Sequence, residues 1–116
     1  MILFLIRANL SVAMGAIMII STYPDKKSIL KIANTTVKEK LAACVNFTKI
    51  DSIYRWQNKF EKTTEFLAFF KTTDKKKKLL KIRIKKTHPY KIPEIAEIKI
   101  KSINKPYMDW LTTSTN

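Results

Sequence analysis

The stretch His88-Pro89-Tyr90-Lys91-Ile92-Pro93-Glu94 sets the only histidine of the chain directly before the first of two prolines spaced four apart. Proline fixes its own φ and pushes the residue before it out of the α region, so His88 and Ile92 are expected to be extended or polyproline II. The segment reads as a stiff strap. Before it lies a basic run, Lys75 to Lys86, and after it Ile95-Ala96-Glu97-Ile98-Lys99-Ile100, whose period-2 alternation predicts a half-buried strand. Within the basic run Leu80, Ile82 and Ile84 alternate like a strand, while Leu80 and Ile84 also share a helical face. We assign a helix there, because helix, strap and strand then complete a repeat of the first half of the chain.

Working upstream, Ala16 to Thr22 is a continuous apolar run, as expected of a central strand buried on both faces. Tyr23-Pro24-Asp25 stops it, and Asp25 is placed to cap the next helix. From Lys26 to Leu41 apolar Ile29, Ala33, Val37 and Leu41 recur every fourth position, with Leu30 beside them, which predicts an amphipathic helix. Ala42 to Ile50 and Ile53 to Trp56 read as one long strand with a bulge between its parts, and Phe60 to Thr72 as its antiparallel partner. Gln57-Asn58 is the turn between them, Asn being tolerant of the left-handed conformation that a tight hairpin needs. Each arm would run about 50 Å at roughly 3.3 Å per residue, against a radius of gyration of only about 13 Å for a compact domain of this size. The hairpin should therefore overhang its own core and leave Tyr54, Trp56 and Phe60 uncovered unless another subunit covers them. Downstream, Asn104 and Pro106 suit the start of a short C-terminal helix carrying Tyr107, Trp110 and Leu111.

Composition narrows the function classes. The chain has 116 residues, 46% of them hydrophobic, which fits one globular domain. Its formal net charge of +14 comes almost wholly from Lys, with Arg only at Arg7, Arg55 and Arg83. Such charge attracts anionic partners, yet sequence-reading nucleic-acid surfaces favour the bidentate fork of Arg, so the Lys excess reads as a solvated coat. Cys44 is the single cysteine, which excludes an intrachain disulfide and suits a reducing compartment. Gly15 is the only glycine, so no glycine-rich phosphate loop exists. Residues 1–14 are apolar but interrupted by Arg7, and they read as an extension outside the core domain, 15–116, with a membrane anchor as the weaker alternative.

Strand, helix, strand, strand, helix, strand is the split βαβ order of an α+β, ferredoxin-like domain, here with a long hairpin and a short C-terminal helix. Four blocks then carry a resemblance: Lys40-Leu41-Ala42-Ala43-Cys44-Val45-Asn46, Ser52-Ile53-Tyr54-Arg55-Trp56, His88-Pro89-Tyr90 with Pro93-Glu94, and Tyr107-Met108-Asp109-Trp110-Leu111. Together they resemble the CutA divalent-cation-tolerance family over Ile17 to Thr113. The resemblance implies a PII-like homotrimer built through the hairpin, cytoplasmic residence, a link to tolerance of divalent metals with copper(II) or another divalent cation as ligand, and no enzymatic activity. Family members with assigned copper ligands have a thiol closing the first strand and a His-His pair before the proline. Ser21 and Thr87 stand at those places here, and only His88 carries over.

The candidate metal ligands are therefore His88, a neutral imidazole donor, and Cys44, a soft donor by type. The competing readings are a helix-terminal histidine held by hydrogen bonds and a small buried hydrophobe. Tyr54, Trp56, Lys71, Tyr90, Glu94, Tyr107 and Trp110 are the candidates for a ligand cleft or for the trimer interface. A Cys44 and His88 dyad lacks a third orienting group. Two further function classes stand beside metal tolerance: a PII-like module for a small anionic metabolite, and RNA binding on a ferredoxin-like sheet, for which Phe66, Phe69 and Phe70 do not reproduce the base-stacking motif. Neither a specific nucleic acid nor a membrane is expected as partner.

Overall fold

The structure, a computed structural model, describes residues 15–116, and the expectation for residues 1–14 lies outside it. Its elements are β1 (Ala16–Tyr23), α1 (Lys26–Lys38), β2 (Cys44–Trp56), β3 (Lys59–Thr73), α2 (Lys77–Thr87), β4 (Ala96–Lys99) and α3 (Lys105–Ser114). The four strands form one antiparallel sheet in the order β2-β3-β1-β4, so the two βαβ halves interleave as the element order predicts.

Alternation along the strands divides the sheet into two faces. Ile17, Ile19 and Tyr23 of β1 and Ala68 and Phe70 of β3 point to one face and are buried there against Ile29 and Ile32 of α1 and Leu80 and Ile84 of α2. On the other face α3 covers one end only, where Leu111 is buried with Ala16 and Ala43. Ala16 and Ile17 are both buried, so β1 is covered on both sides at its start, while farther along Met18, Ile20 and Thr22 are only partly buried on the face away from α1 and α2.

The hairpin matches the expectation closely. Gln57 (φ 50°) and Asn58 (φ 65°) both adopt the left-handed conformation, the two-residue turn whose twist suits the flanking strands. Its register runs unbroken from Cys44 opposite Lys71 to Trp56 opposite Lys59, which removes the expected bulge. Since β1 pairs only with Phe66 to Thr73, the rest of the hairpin projects as a bare two-stranded ribbon. The molecule is accordingly drawn out to 61 × 26 × 23 Å, and Ile53, Trp56 and Phe60 stand exposed.

Local chemistry explains the boundaries. The Asp25 carboxylate accepts from the Ser28 amide at 2.7 Å and starts α1. That helix ends at Lys38 rather than Leu41, because Lys40 turns left-handed (φ 60°) and the Leu41 amide reaches back to the Thr36 carbonyl at 2.9 Å. This is the glycine-type helix stop made by a lysine, and it delays β2 to Cys44. Lys77 and Lys81 of α2 both reach Glu97 of β4, at 2.9 and 2.6 Å, and Arg83 meets Glu39 at the end of α1 at 2.8 Å. Asn104 precedes α3 without a side-chain capping bond, and Pro106 sits in its first turn.

Candidate functional site

The strap leaves α2 at His88, which is extended (φ −71°, ψ 135°) as the following proline dictates. This backbone swings the imidazole onto β1. The ring stacks on Tyr23, with centroids 4.3 Å apart and planes 24° from parallel. Nδ1 accepts the Tyr90 amide N–H at 3.0 Å, so the proton sits on Nε2, which lies 3.1 Å from the Ser21 hydroxyl. Burial lowers the affinity of the ring for a second proton. Both ring nitrogens, the Nδ1 lone pair and the Nε2 proton, are thus engaged within the protomer. Residues fitted to a resident copper would leave one nitrogen free for the metal, and His88 does not.

By turning His88 inward the strap turns Tyr90 outward. The Tyr90 hydroxyl donates to the carboxylate of Glu65 at 2.7 Å. Glu65 is 9% exposed and has no ion-pair partner among the described residues. Burial, and then the Glu65 charge, push the Tyr90 hydroxyl well above its ordinary range. Around this pair opens a cleft of about 590 Å³, walled by Tyr54 and Trp56 from the hairpin and by Tyr90, Lys91, Ile92 and Glu94 from the strap, with Thr22 and Thr63 at its floor.

Four of the sequence candidates, Tyr54, Trp56, Tyr90 and Glu94, therefore meet in one place. The other three do not. Lys71 lies over the Tyr107 ring at 5.6 Å, and Tyr107 packs on Trp110 at 5.3 Å, all against α3 at the opposite end of the sheet. Cys44 pairs with Lys71 at that same end, its Sγ 3.7 Å from the Asn46 side chain. Val45 and Phe47 face the helices, so Cys44 faces the other way, whereas Ser21 and Tyr23, which hold His88, share the helix-side face of β1. Alternation thus keeps Cys44 and His88 apart, and no dyad forms. No group of three His, Cys, Asp or Glu converges among the described residues. Phe66 and Phe70 pack into the helix-side core, and of the three phenylalanines only Phe69 lies on the other face of the sheet, partly buried. Sequence reasoning missed Glu65. Its signal was a lone acid in the apolar run Phe66-Leu67-Ala68-Phe69-Phe70, at a position whose cross-strand partner is Ile50.

A family model described as CutA1 divalent ion tolerance protein matches residues 17–114. The chain belongs to the CutA1 divalent ion tolerance family. It is 37% identical over 99 residues to the divalent-cation tolerance protein CutA of Pyrococcus horikoshii, covering 85% of this chain and 97% of that one. With its Thermus thermophilus counterpart it shares 41% over 98 residues, 84% and 95% of the two chains. Among solved structures, CutA from Synechococcus elongatus superimposes with a TM-score of 0.86 at 32% identity, covering 90% of this chain and 92% of the other. The CutA1 resemblance read from four sequence blocks is therefore correct, as is the α+β ferredoxin-like fold.

Proposed function

We propose that this CutA1-family chain serves divalent-cation tolerance as a cytoplasmic homotrimer that meets a hydrated cation through the carboxylates of its cleft and carries out no catalysis. The observation that carries this reading is Glu65, a buried carboxylate facing an open cleft without a cation of its own. Glu94 adds a second acid to the same wall, opposed only by Lys91. One or two carboxylates suit a cation that keeps most of its water, and that balance disfavours the anionic metabolite. The homotrimer is supported by the exposed apolar ribbon, which in water needs cover.

Calorimetric titration with copper(II) and magnesium tests the site on wild type, Glu65→Gln and His88→Ala. Binding in the micromolar range or weaker, on the order of −8 kcal/mol or less in magnitude, is expected in wild type and in folded His88→Ala and absent in Glu65→Gln. Nanomolar copper binding that survives Glu65→Gln and disappears in His88→Ala would return the site to the imidazole.

A further inference from the structure

The outward side of α2 is densely basic, and neither the cleft nor the hairpin explains it. Leu80 and Ile84 face the core, Lys77 and Lys81 turn toward Glu97, and Arg83 turns toward Glu39. What remains outward is Lys75, Lys78, Leu79, Ile82, Lys85 and Lys86, all exposed. Leu79 and Ile82 are 54% and 52% exposed, two aliphatic side chains amid four cations that form no ion pair among the described residues. Lysines 75 to 78 also crowd the helix N-terminus, which carries no acid in its first turn. A cation there opposes the helix dipole, so helix stability does not account for the run.

We propose that this face of α2 docks peripherally on an anionic lipid surface. A basic helix with aliphatic residues among its lysines matches the headgroup layer on both counts: charge for the phosphates and carboxylates, aliphatic groups for the boundary beneath them. RNA fits less well, because the outward face presents neither aromatic rings for stacking nor a free Arg fork. No helix among the described residues is long and apolar enough to cross a membrane, and the contact proposed is superficial. It departs from the expectation that a membrane is not a partner.

Cosedimentation of the full chain with vesicles tests it, comparing phosphatidylcholine alone with phosphatidylcholine mixed with phosphatidylserine. Binding is expected only to the mixed vesicles and should fall as salt is raised. Lys85→Ala with Lys86→Ala should weaken it roughly twenty-fivefold, each lysine near such a surface being worth about a factor of five. Leu79→Ser with Ile82→Ser changes no charge and should weaken it severalfold, while circular dichroism reports an intact fold. Equal binding to neutral vesicles, no effect of either pair of substitutions, or tighter binding to an RNA oligomer than to the mixed vesicles would each overturn the proposal.

Discussion

Replacing His88 by Ala separates a structural histidine from a metal ligand, because the two roles predict different losses. The structure gives the imidazole three partners: the Tyr90 amide at 3.0 Å, the Ser21 hydroxyl at 3.1 Å and the Tyr23 ring at 4.3 Å. Each neutral hydrogen bond is worth about 1 kcal/mol net, and the stacked pair about 0.5–1.5 kcal/mol beyond its area. His88→Ala should therefore lower stability by about 3 kcal/mol with every metal chelated, and His88→Phe, which keeps the stack, by about 2 kcal/mol. Urea unfolding followed by circular dichroism, at one protein concentration and with chelator present, measures both. The pH dependence follows from the same geometry. Burial depresses the folded pKa of His88 below its ordinary 6.5, so between the two values the unfolded chain binds more protons. Stability should be fully present above about pH 6.5 and fall as the pH drops through that window, a loss that His88→Phe should not show. A His88→Ala protein as stable as wild type in chelator would refute the reasoning.

Lys40→Gly should raise stability by about 0.5–1 kcal/mol, since glycine takes the left-handed conformation without the Cβ penalty; the urea midpoint reads the gain. Tyr90→Phe removes the donor to the buried Glu65 carboxylate and should cost about 1.5–3 kcal/mol in the same assay, with a double-mutant cycle against Glu65→Gln recovering most of the difference. Light scattering at micromolar protein should give a trimer mass. Trp56→Ala should lower that mass while the far-ultraviolet spectrum is kept, because Trp56 is 44% exposed in the protomer and supports no part of its core.

Most of the fold was legible because its signals are local. Period 4 in α1, the Asn58 turn and proline at positions 89 and 93 each act within a few residues, and each appears where the pattern places it. The misplaced boundary at Lys38 has a different origin. Leu41 continues the apolar spacing of α1 and is buried, but it reaches the core from beyond the left-handed Lys40, so periodicity alone cannot distinguish a last helical turn from the residue that folds back over it. The expected bulge failed likewise: Asp51-Ser52 looked like an interruption, yet in a ribbon without a covering layer polar residues cost a strand nothing.

The site was legible only in part, because its residues lie far apart in the chain. Tyr90 and Glu94 were found through the prolines that fix them, and Tyr54 and Trp56 through the overhang. Lys71, Tyr107 and Trp110 share their chemistry and not their place, since nothing in spacing says at which end of a sheet an aromatic residue lies. His88 is the clearest case. Its residue type suggested a ligand, and what no spacing shows is the Ser21 hydroxyl, two strand positions before Tyr23, standing 3.1 Å from Nε2 within the same protomer.

Where the charge sits reconciles a basic protein with self-association. Segments 26–40 and 74–86, which form the helix layer, hold thirteen of the cations against two acids, Glu39 and Asp74. The hairpin, 44–73, holds five cations and three acids beside its exposed Ile53, Trp56 and Phe60. Association through the hairpin would therefore bring together the nearly balanced part of the molecule rather than its strongly basic helix layer. A uniform spread of the same charge would oppose contact through the hairpin as through any other face; its concentration on the helices leaves the hairpin the surface where two copies would repel least.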